Sequence, residues 1–254
     1  MTLAPKSKVH IRGLISAIWD FAIWLEVIPP QQNPMSLVRI PGASKRVRRP
    51  RSLSVEQYRK FAQNIPEPFQ TIVVVSVCLG LRISECLALK WCDVDWLNGI
   101  LRIERSIVAQ KVDSTKTEES ARDLPIDRSL LERLKTWKQM TAFSEPQDWI
   151  FASPVQFGRL PWSYDQIWRV YQKAALQAEV GKVGTRTLRH TFRSWLDALG
   201  TAFGVQKNLM RHTDIRTTFN VYGEAEPDRM RRVHGKVGKR AIPGVRIATD
   251  RTAC

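Results

Sequence analysis

Apolar residues recur at helical spacing along most of the chain, which predicts a mainly helical protein. Residues 9–28 are rich in Ile, Trp, Phe and Leu and predict one helix, ended by the prolines at 29–30. Ser54-x-x-Gln57 is a capping-box sequence and predicts a helix start. The spacing predicts further helices over about 55–63, 67–79, 85–89, 130–137, 163–174, 188–199, 203–211 and 214–222.

A shorter region alternates apolar and polar residues and predicts β-strands. Residues 92–96 and 100–104 alternate on either side of Asn98-Gly99, a strong signal for a two-residue hairpin turn. The fold class predicted from these patterns is mainly α with a small antiparallel β-sheet.

A second strand pair is predicted over 107–112 and 122–126. The polar residues between them, 113–120, predict a turn that contains Lys116. A further short strand is predicted around Trp149–Phe151.

Basic residues outnumber acidic residues, which favours a polyanionic partner. The 254 residues include 40 Lys and Arg against 24 Asp and Glu, giving a net charge of +16 and a pI near 10.2. Nucleic acid is the first candidate partner and an acidic membrane surface the second. The plain alternative is a soluble protein with incidental charge. The hydrophobic fraction of 43% is enough for a sizeable core and excludes a disordered polypeptide.

The segment 39–51 has no acidic residue and contains two prolines and a glycine, which predicts a linker. Its charge suits a phosphate backbone, and the alternative interpretation is a solvated hinge. The candidate DNA-binding residues are Arg39, Lys45, Arg46, Arg48, Arg49 and Arg51.

The sequence favours an intracellular protein. Basic residues precede the apolar run 14–28 as in a signal peptide, but Asp20 and Glu26 interrupt the run and no small-residue cleavage site follows. We therefore expect neither export nor a membrane span. The four cysteines form no C-x-x-C pair, which indicates reduced thiols and no metal site. Cys78 and Cys86 are expected to be buried.

The candidate chemistry is concentrated in two stretches. Arg186 and Arg189 lie three residues apart on one helical face, where both can bind a single phosphate. Breaking a phosphodiester without a metal requires fixed cations, an in-line nucleophile and an acid for the leaving oxygen. A phenol suits the reversible form of this reaction, because a phenolate both attacks and leaves.

Gly80-Leu81-Arg82-Ile83-Ser84-Glu85 and Arg186-Thr187-Leu188-Arg189-His190-Thr191-Phe192, with His212 and Tyr222, resemble the tyrosine recombinase (phage integrase) family. The resemblance covers roughly residues 52–236 and implies the catalytic-domain fold of DNA breaking-rejoining enzymes. It implies a catalytic set of Arg82, Lys116, Arg186, Arg189, His212 and Tyr222, supported by Glu85 and His190.

In this resemblance Arg82 and Arg189 bind the phosphate and Glu85 supports the site. Lys116 protonates the leaving 5′ oxygen and Tyr222 is the nucleophile. His212 hydrogen-bonds the phosphate. Each residue taken alone is also consistent with a surface ion pair or core packing, so the interpretation depends on all of them occurring in the family's order.

Arg186 departs from the family pattern, which places histidine or lysine three residues before the second arginine. A guanidinium keeps its proton and cannot act as a general base, although it can bind phosphate. We therefore expect cleavage to be slowed or lost unless His190 or water takes over the role.

The resemblance also implies the domain organisation and the partners. Residues 1–38 are expected to be the last helix of a truncated DNA-clamping domain, 39–51 the linker, 52–236 the catalytic domain and 237–254 a basic tail. The implied function is site-specific recombination on double-stranded DNA by four protomers in a prokaryotic cytoplasm, without a metal or nucleotide cofactor. The alternatives are a DNA-binding remnant without catalysis and a topoisomerase-like relaxase.

Overall fold

The computed structural model of the chain describes residues 3–43, 50–114 and 123–211. The chain divides into two compact units, Met1–Arg49 and Pro50–Cys254. In the described ranges, no helix has both the length and the apolar character that crossing a membrane requires.

The N-terminal unit contains one long helix, α1 (Pro5–Trp24), with proline at its first position. The prediction that it continues to the prolines at 29–30 is wrong. Glu26 has a φ of 58°, and the Val27 amide donates to the Ala22 carbonyl at 3.0 Å. This is a Schellman ending, which usually has glycine at the left-handed position. Because glutamate occupies this position, the sequence does not signal where the helix ends.

None of the residues of α1 is buried. The segment after the helix folds back against it through Asn33, whose side-chain amide donates to Ser16 Oγ at 2.9 Å and to Asp20 Oδ1 at 2.7 Å. Asn33 also caps the N-terminus of a short 3-10 helix, Pro34–Leu37. The exposed apolar residues of the helix are Ile11, Leu14, Ile15, Ile18, Phe21 and Trp24.

The C-terminal unit is mainly helical, as predicted. Its described helices are α2 (Val55–Gln63), α3 (Phe69–Leu79), α4 (Ile83–Leu87), α5 (Arg128–Met140), α6 (Tyr164–Gln177), α7 (Thr185–Ala198) and α8 (Phe203–Met210). The capping boxes at Ser54 and Ser163 are both formed, with Gln57 and Gln166 as their partners. The helix predicted over 214–222 lies outside the described residues.

The strands in the described ranges form two small antiparallel sheets. One contains β1 (Val94–Asp95), β2 (Ile100–Leu101) and β5 (Leu124–Pro125), with β2 in the centre. The predicted hairpin around Asn98-Gly99 is present, but its loop has four residues rather than two. Asp95 accepts hydrogen bonds from the Leu97 and Asn98 amides at 3.1 and 3.0 Å, which stabilises this longer turn.

The second sheet corrects the predicted second strand pair. β3 (Arg105–Val108) pairs with β4 (Lys111–Ser114), so the turn lies at Ala109-Gln110, inside a predicted strand. Both turn residues have positive φ, 49° and 61°, which hairpin turns require but which Ala and Gln do not signal. Residues 124–125 pair with β2 instead. The predicted strand at Trp149–Phe151 forms only one bridge, from Trp149 to Lys90.

The core of this unit lies around α3, with α5 and α7 packed beside it and α6 packed against α2. α7 also binds the start of the unit: the Leu53 amide donates to Thr191 Oγ1 at 3.0 Å, and Trp195 Nε1 donates to the Leu53 carbonyl at 3.1 Å. One expectation about burial is wrong. Cys78 is exposed on α3, whereas Cys86 is buried as expected.

Candidate active site

The site begins where α3 ends. Gly80 caps the helix with a φ of 60°, a conformation that glycine adopts without steric cost. A Cβ at this position would lie 2.2 Å from Cδ1 of Phe192 on α7. The missing side chain therefore lets α7 approach the end of α3, and the chain turns at once into Arg82.

Arg82 stands at the N-terminus of α4, where Glu85 fixes it. The Arg82 amide donates to Glu85 Oε2 at 2.9 Å, and Arg82 Nη1 donates to Glu85 Oε1 at 2.6 Å. The Glu85 side chain is only 4% exposed, whereas that of Arg82 is 45% exposed. The carboxylate thus lies inside the protein and presents a guanidinium to solvent.

Arg189 reaches the same place from α7. Its Nη1 donates to the Gly80 carbonyl and its Nη2 to the Met210 carbonyl, which are the C-terminal ends of α3 and α8. Helix C-termini carry partial negative charge, so a cation between two of them is favoured. Burial and then the neighbouring charge of Arg82 lower the pKa of Arg189 to about 9. A bound anion would offset both effects.

Arg211 is a further member of this cluster, and the sequence motifs do not include it. It caps α8 with a φ of 50°, and its Nη2 forms an ion pair with Glu85 Oε2. Its side chain is 0% exposed. No sequence signal identifies this contact, since 126 residues separate the partners.

The cluster contains more positive than negative charge. Burial would raise the pKa of Glu85, but Arg211 and Arg82 outweigh this effect and hold the pKa below its ordinary value. One ionised carboxylate therefore faces three guanidinium groups, those of Arg82, Arg189 and Arg211. The excess positive charge makes this a site for an anion.

Of the other predicted residues on α7, Arg186 does not join the cluster through any side-chain contact in the described part of the chain. Arg186 lies one turn before Arg189 and is exposed, and no described residue forms an ion pair or hydrogen bond with its side chain. His190 is half-buried on the same helix. The structure therefore brings Arg82, Glu85 and Arg189 together and leaves Arg186 at the surface.

Three predicted catalytic residues, Lys116, His212 and Tyr222, lie outside the described residues. Of the predicted DNA-binding residues, Arg39 is exposed in the N-terminal unit. Arg51 is exposed in the C-terminal unit, and its guanidinium lies against Gly181. If Gly181 carried a Cβ, that atom would be 2.8 Å from Arg51 Nη1. The remaining linker residues, Lys45, Arg46, Arg48 and Arg49, also lie outside the described ranges.

Comparison with known proteins gives a consistent set of matches. The family model described as "Phage integrase family" matches residues 51–229. The ICEBs1 integrase of Bacillus subtilis is 28% identical over 253 residues, which cover 92% of this chain and 66% of that protein. A putative prophage phiRv2 integrase of Mycobacterium tuberculosis is 28% identical over 133 residues, covering 50% of this chain and 34% of the relative. The chain thus spans about one third to two thirds of these relatives' lengths.

A similar fold occurs in the Tn1549 transposon integrase, whose structure was solved in complex with transposon right end DNA. The TM-score is 0.75 at 20% sequence identity, and the match covers 93% of this chain and 80% of that one. The predicted fold class is therefore confirmed: a helix-rich protein with small antiparallel sheets and the architecture of that DNA-bound structure.

Proposed function

The chain belongs to the phage integrase family of tyrosine recombinases, and from this premise we propose that it recombines DNA site-specifically. It cleaves and rejoins strands through a 3′-phosphotyrosyl intermediate. The integrases among its relatives and the DNA in the structure of the Tn1549 integrase support this proposal. The family match also runs through Lys116, His212 and Tyr222, which disfavours a DNA-binding remnant without catalysis.

The observation that carries the proposal is the approach of Arg82 and Arg189. They come from parts of the chain more than a hundred residues apart, and Arg189 binds the carbonyl of Gly80, two residues before Arg82. Like charges repel, and the single carboxylate of Glu85 does not balance the arginines around it, so the site favours a further anion. Arginine suits a phosphate because its planar fork keeps its charge and binds two oxygens at once.

The chemistry follows from the charge that develops on the phosphate. Arg82 and Arg189 stabilise the non-bridging oxygens as the Tyr222 oxygen attacks phosphorus. The O–P bond to tyrosine forms, the bond to the 5′ oxygen breaks, and Lys116 donates the proton that this oxygen needs. His212 hydrogen-bonds the phosphate. A 5′ hydroxyl of the partner strand then reverses the steps and releases the tyrosine.

This route uses no metal or nucleotide, because the energy of the broken bond is kept in the phosphotyrosyl link. Arg186 is assigned to phosphate binding, which its exposure on the face of Arg189 permits. Because Arg186 cannot act as a general base, we assign that role to His190 or to water.

The remaining assignments concern DNA binding and assembly. The net charge of +16 and the basic segment 39–51 suit a phosphate backbone, so binding weakens steeply with salt. The exposed apolar face of α1 supports its assignment to a DNA-clamping domain. Four protomers acting on two DNA sites are the assembly that recombination requires.

The decisive experiment replaces the nucleophile. The full chain is incubated with a library of nicked DNA duplexes of random sequence, and covalent adducts are isolated under denaturing conditions and sequenced. We expect adducts with the unchanged chain and none with Tyr222→Phe, because phenylalanine has no oxygen to attack phosphorus. Tyr164→Phe, at an exposed tyrosine on α6, is the matched control and keeps the adducts.

Adducts that persist in Tyr222→Phe refute the assignment of the nucleophile. Salt-dependent DNA binding without adducts from the unchanged chain instead supports a non-catalytic DNA-binding protein. Relaxation of supercoiled plasmid without strand exchange identifies a relaxase.

A further inference from the structure

Glu85 is shared between two arginines. Its Oε1 accepts from Arg82 Nη1 at 2.6 Å, while Oε2 accepts from the Arg82 amide at 2.9 Å and from Arg211 Nη2. The Arg82 guanidinium therefore holds only one carboxylate oxygen. Elsewhere in the same chain, both oxygens of Asp93 accept from Nη2 of Arg105, although Oδ2 also accepts from the Lys90 amide at 2.7 Å. A main-chain amide on one oxygen therefore does not by itself keep a carboxylate from giving both oxygens to one arginine.

Arg211 occupies its position at a cost to stability. Its φ of 50° is a conformation that glycine adopts freely and a side chain adopts with strain. Its side chain is fully buried, and its Nε and Nη1 have no hydrogen-bond partner in the part of the chain that the structure describes. Unpaired buried donors are destabilising, so packing alone does not account for an arginine here.

We propose that Arg211 is a positioning residue of the phosphate site that acts through Glu85. By holding Oε2, it prevents Glu85 from giving both oxygens to the Arg82 guanidinium. Arg82 then keeps unneutralised charge and free donors at the surface, where a phosphate can bind them. This inference rests on the proposed function, in that the phosphate belongs to a DNA backbone.

A second consequence follows from the position of Arg211 in the chain. It is the C-cap of α8, and Met210 beside it accepts a hydrogen bond from Arg189. The end of α8 is thus joined to both cationic parts of the site, directly to Arg189 and through Glu85 to Arg82. Removing the Arg211 side chain frees Glu85 to pair more fully with Arg82 and weakens anion binding at that guanidinium.

The test measures the affinity of the full chain for inorganic sulfate at constant ionic strength. The readout is the NMR signal of the Arg82 side-chain Nε–H during the sulfate titration. Arg211→Gly suits the positive φ and removes the charge. We expect it to weaken sulfate binding on the order of tenfold, within the range of coupling seen between groups of one network. In a Glu85→Gln background, the same substitution should change binding less than about twofold, because the shared carboxylate is gone.

Arg133→Gln is the matched control, because it breaks a partly buried ion pair with Glu67, just before the start of α3, whereas the site lies at the end of that helix. It should leave sulfate binding unchanged. Arg211→Lys keeps the charge without the planar fork and should show a smaller loss of sulfate affinity. In the Glu85→Gln background this loss should also disappear. Arg211→Lys replaces Arg211→Gly if the glycine chain does not fold.

An equal loss in both Glu85 backgrounds would show that Arg211 acts by its own charge or by holding the fold, and would overturn the proposal. No loss in either background, or no sulfate binding by the unchanged chain, would overturn it as well. The sulfate measurement needs no DNA cleavage. Failure to form phosphotyrosyl adducts therefore contradicts the recombination proposal. It does not affect the test of the coupling between Arg211 and Arg82 through Glu85.

Discussion

The helices α1 and α3 are both rich in apolar residues, yet they differ completely in burial. None of the 20 residues of α1 is buried. Eight of the 11 residues of α3 are buried, among α5, α7 and the other elements of the core. Apolar sequence therefore shows that a helix needs partners, and only the packing around it shows whether that need is met. Four predictions test this difference.

The largest expected effect separates the two helices directly. Ile72 on α3 is 0% exposed and Ile18 on α1 is 59% exposed. We expect Ile72→Ala to lower the free energy of unfolding by about 2–5 kcal/mol, since it leaves a cavity, and Ile18→Ala to change it by less than about 0.5 kcal/mol. Urea unfolding followed by circular dichroism measures both. Similar losses from the two substitutions would contradict the comparison.

The next prediction uses one glycine from each helix region. Gly80→Ala should destabilise the protein by about 1–3 kcal/mol, because the new Cβ meets Phe192 and the φ is positive. Gly13 lies in the middle of α1, and a Cβ added there would have no neighbouring atom within 4 Å outside the helix's own backbone. Gly13→Ala should therefore stabilise α1 by about 0.5–1 kcal/mol. Thermal unfolding gives the first result and amide hydrogen exchange of α1 the second. A neutral Gly80→Ala would show that α7 can move away from α3 at little cost.

The third prediction extends the comparison from apolar to charged groups. In the folded chain the pKa of Glu85 is held below its ordinary value of 4.5, so its ionisation stabilises the fold above that pH. This stabilisation is lost as pH falls through the lowered pKa. Glu85→Gln should therefore reduce the acid-side slope of unfolding free energy, by at most about 1.4 kcal/mol per pH unit.

Urea unfolding at a series of pH values between about 2 and 6 measures this slope. Glu56→Gln, on the exposed side of α2, is the control for removing one carboxylate. The slopes are compared rather than the absolute stabilities, because Glu85→Gln also leaves Arg211 buried without its counter-charge. An unchanged slope in Glu85→Gln would count against the role of the ion pair in acid stability.

The smallest effect concerns the polar contacts of α1. Asn33→Ala removes hydrogen bonds to Ser16 and Asp20, which are partly exposed, so we expect a local loss of about 0.5–1.5 kcal/mol. Hydrogen exchange should become faster in α1 and stay unchanged in α3. Faster exchange in α3 as well would contradict the local role of Asn33.

Much of the fold could be predicted because local signals agreed with the final structure. The capping boxes at Ser54 and Ser163 and the run of apolar residues in α3 each act within a few residues of the chain. The missed features are turns in which ordinary residues take positive φ. Glu26 and the Ala109-Gln110 pair adopt conformations that glycine or asparagine would have announced.

The candidate site divides in the same way. Arg82, Glu85 and Arg189 could be identified from short motifs, and the structure brings them together. Arg211 could not, because its partner is set by tertiary packing rather than by any spacing in the sequence. The roles assigned to all of the predicted site residues stay predictions, those of Arg82, Glu85 and Arg189 included.

Among the described residues, the hydrogen-bond partners of the Arg189 guanidinium are the main-chain oxygens of Gly80 and Met210. Its location consequently follows the course of the polypeptide. Exchanges of neighbouring side chains can accumulate without displacing it, whereas an insertion or deletion near either anchoring carbonyl would shift it. Tolerance of point changes combined with intolerance of length changes is the evolutionary behaviour that such an attachment confers.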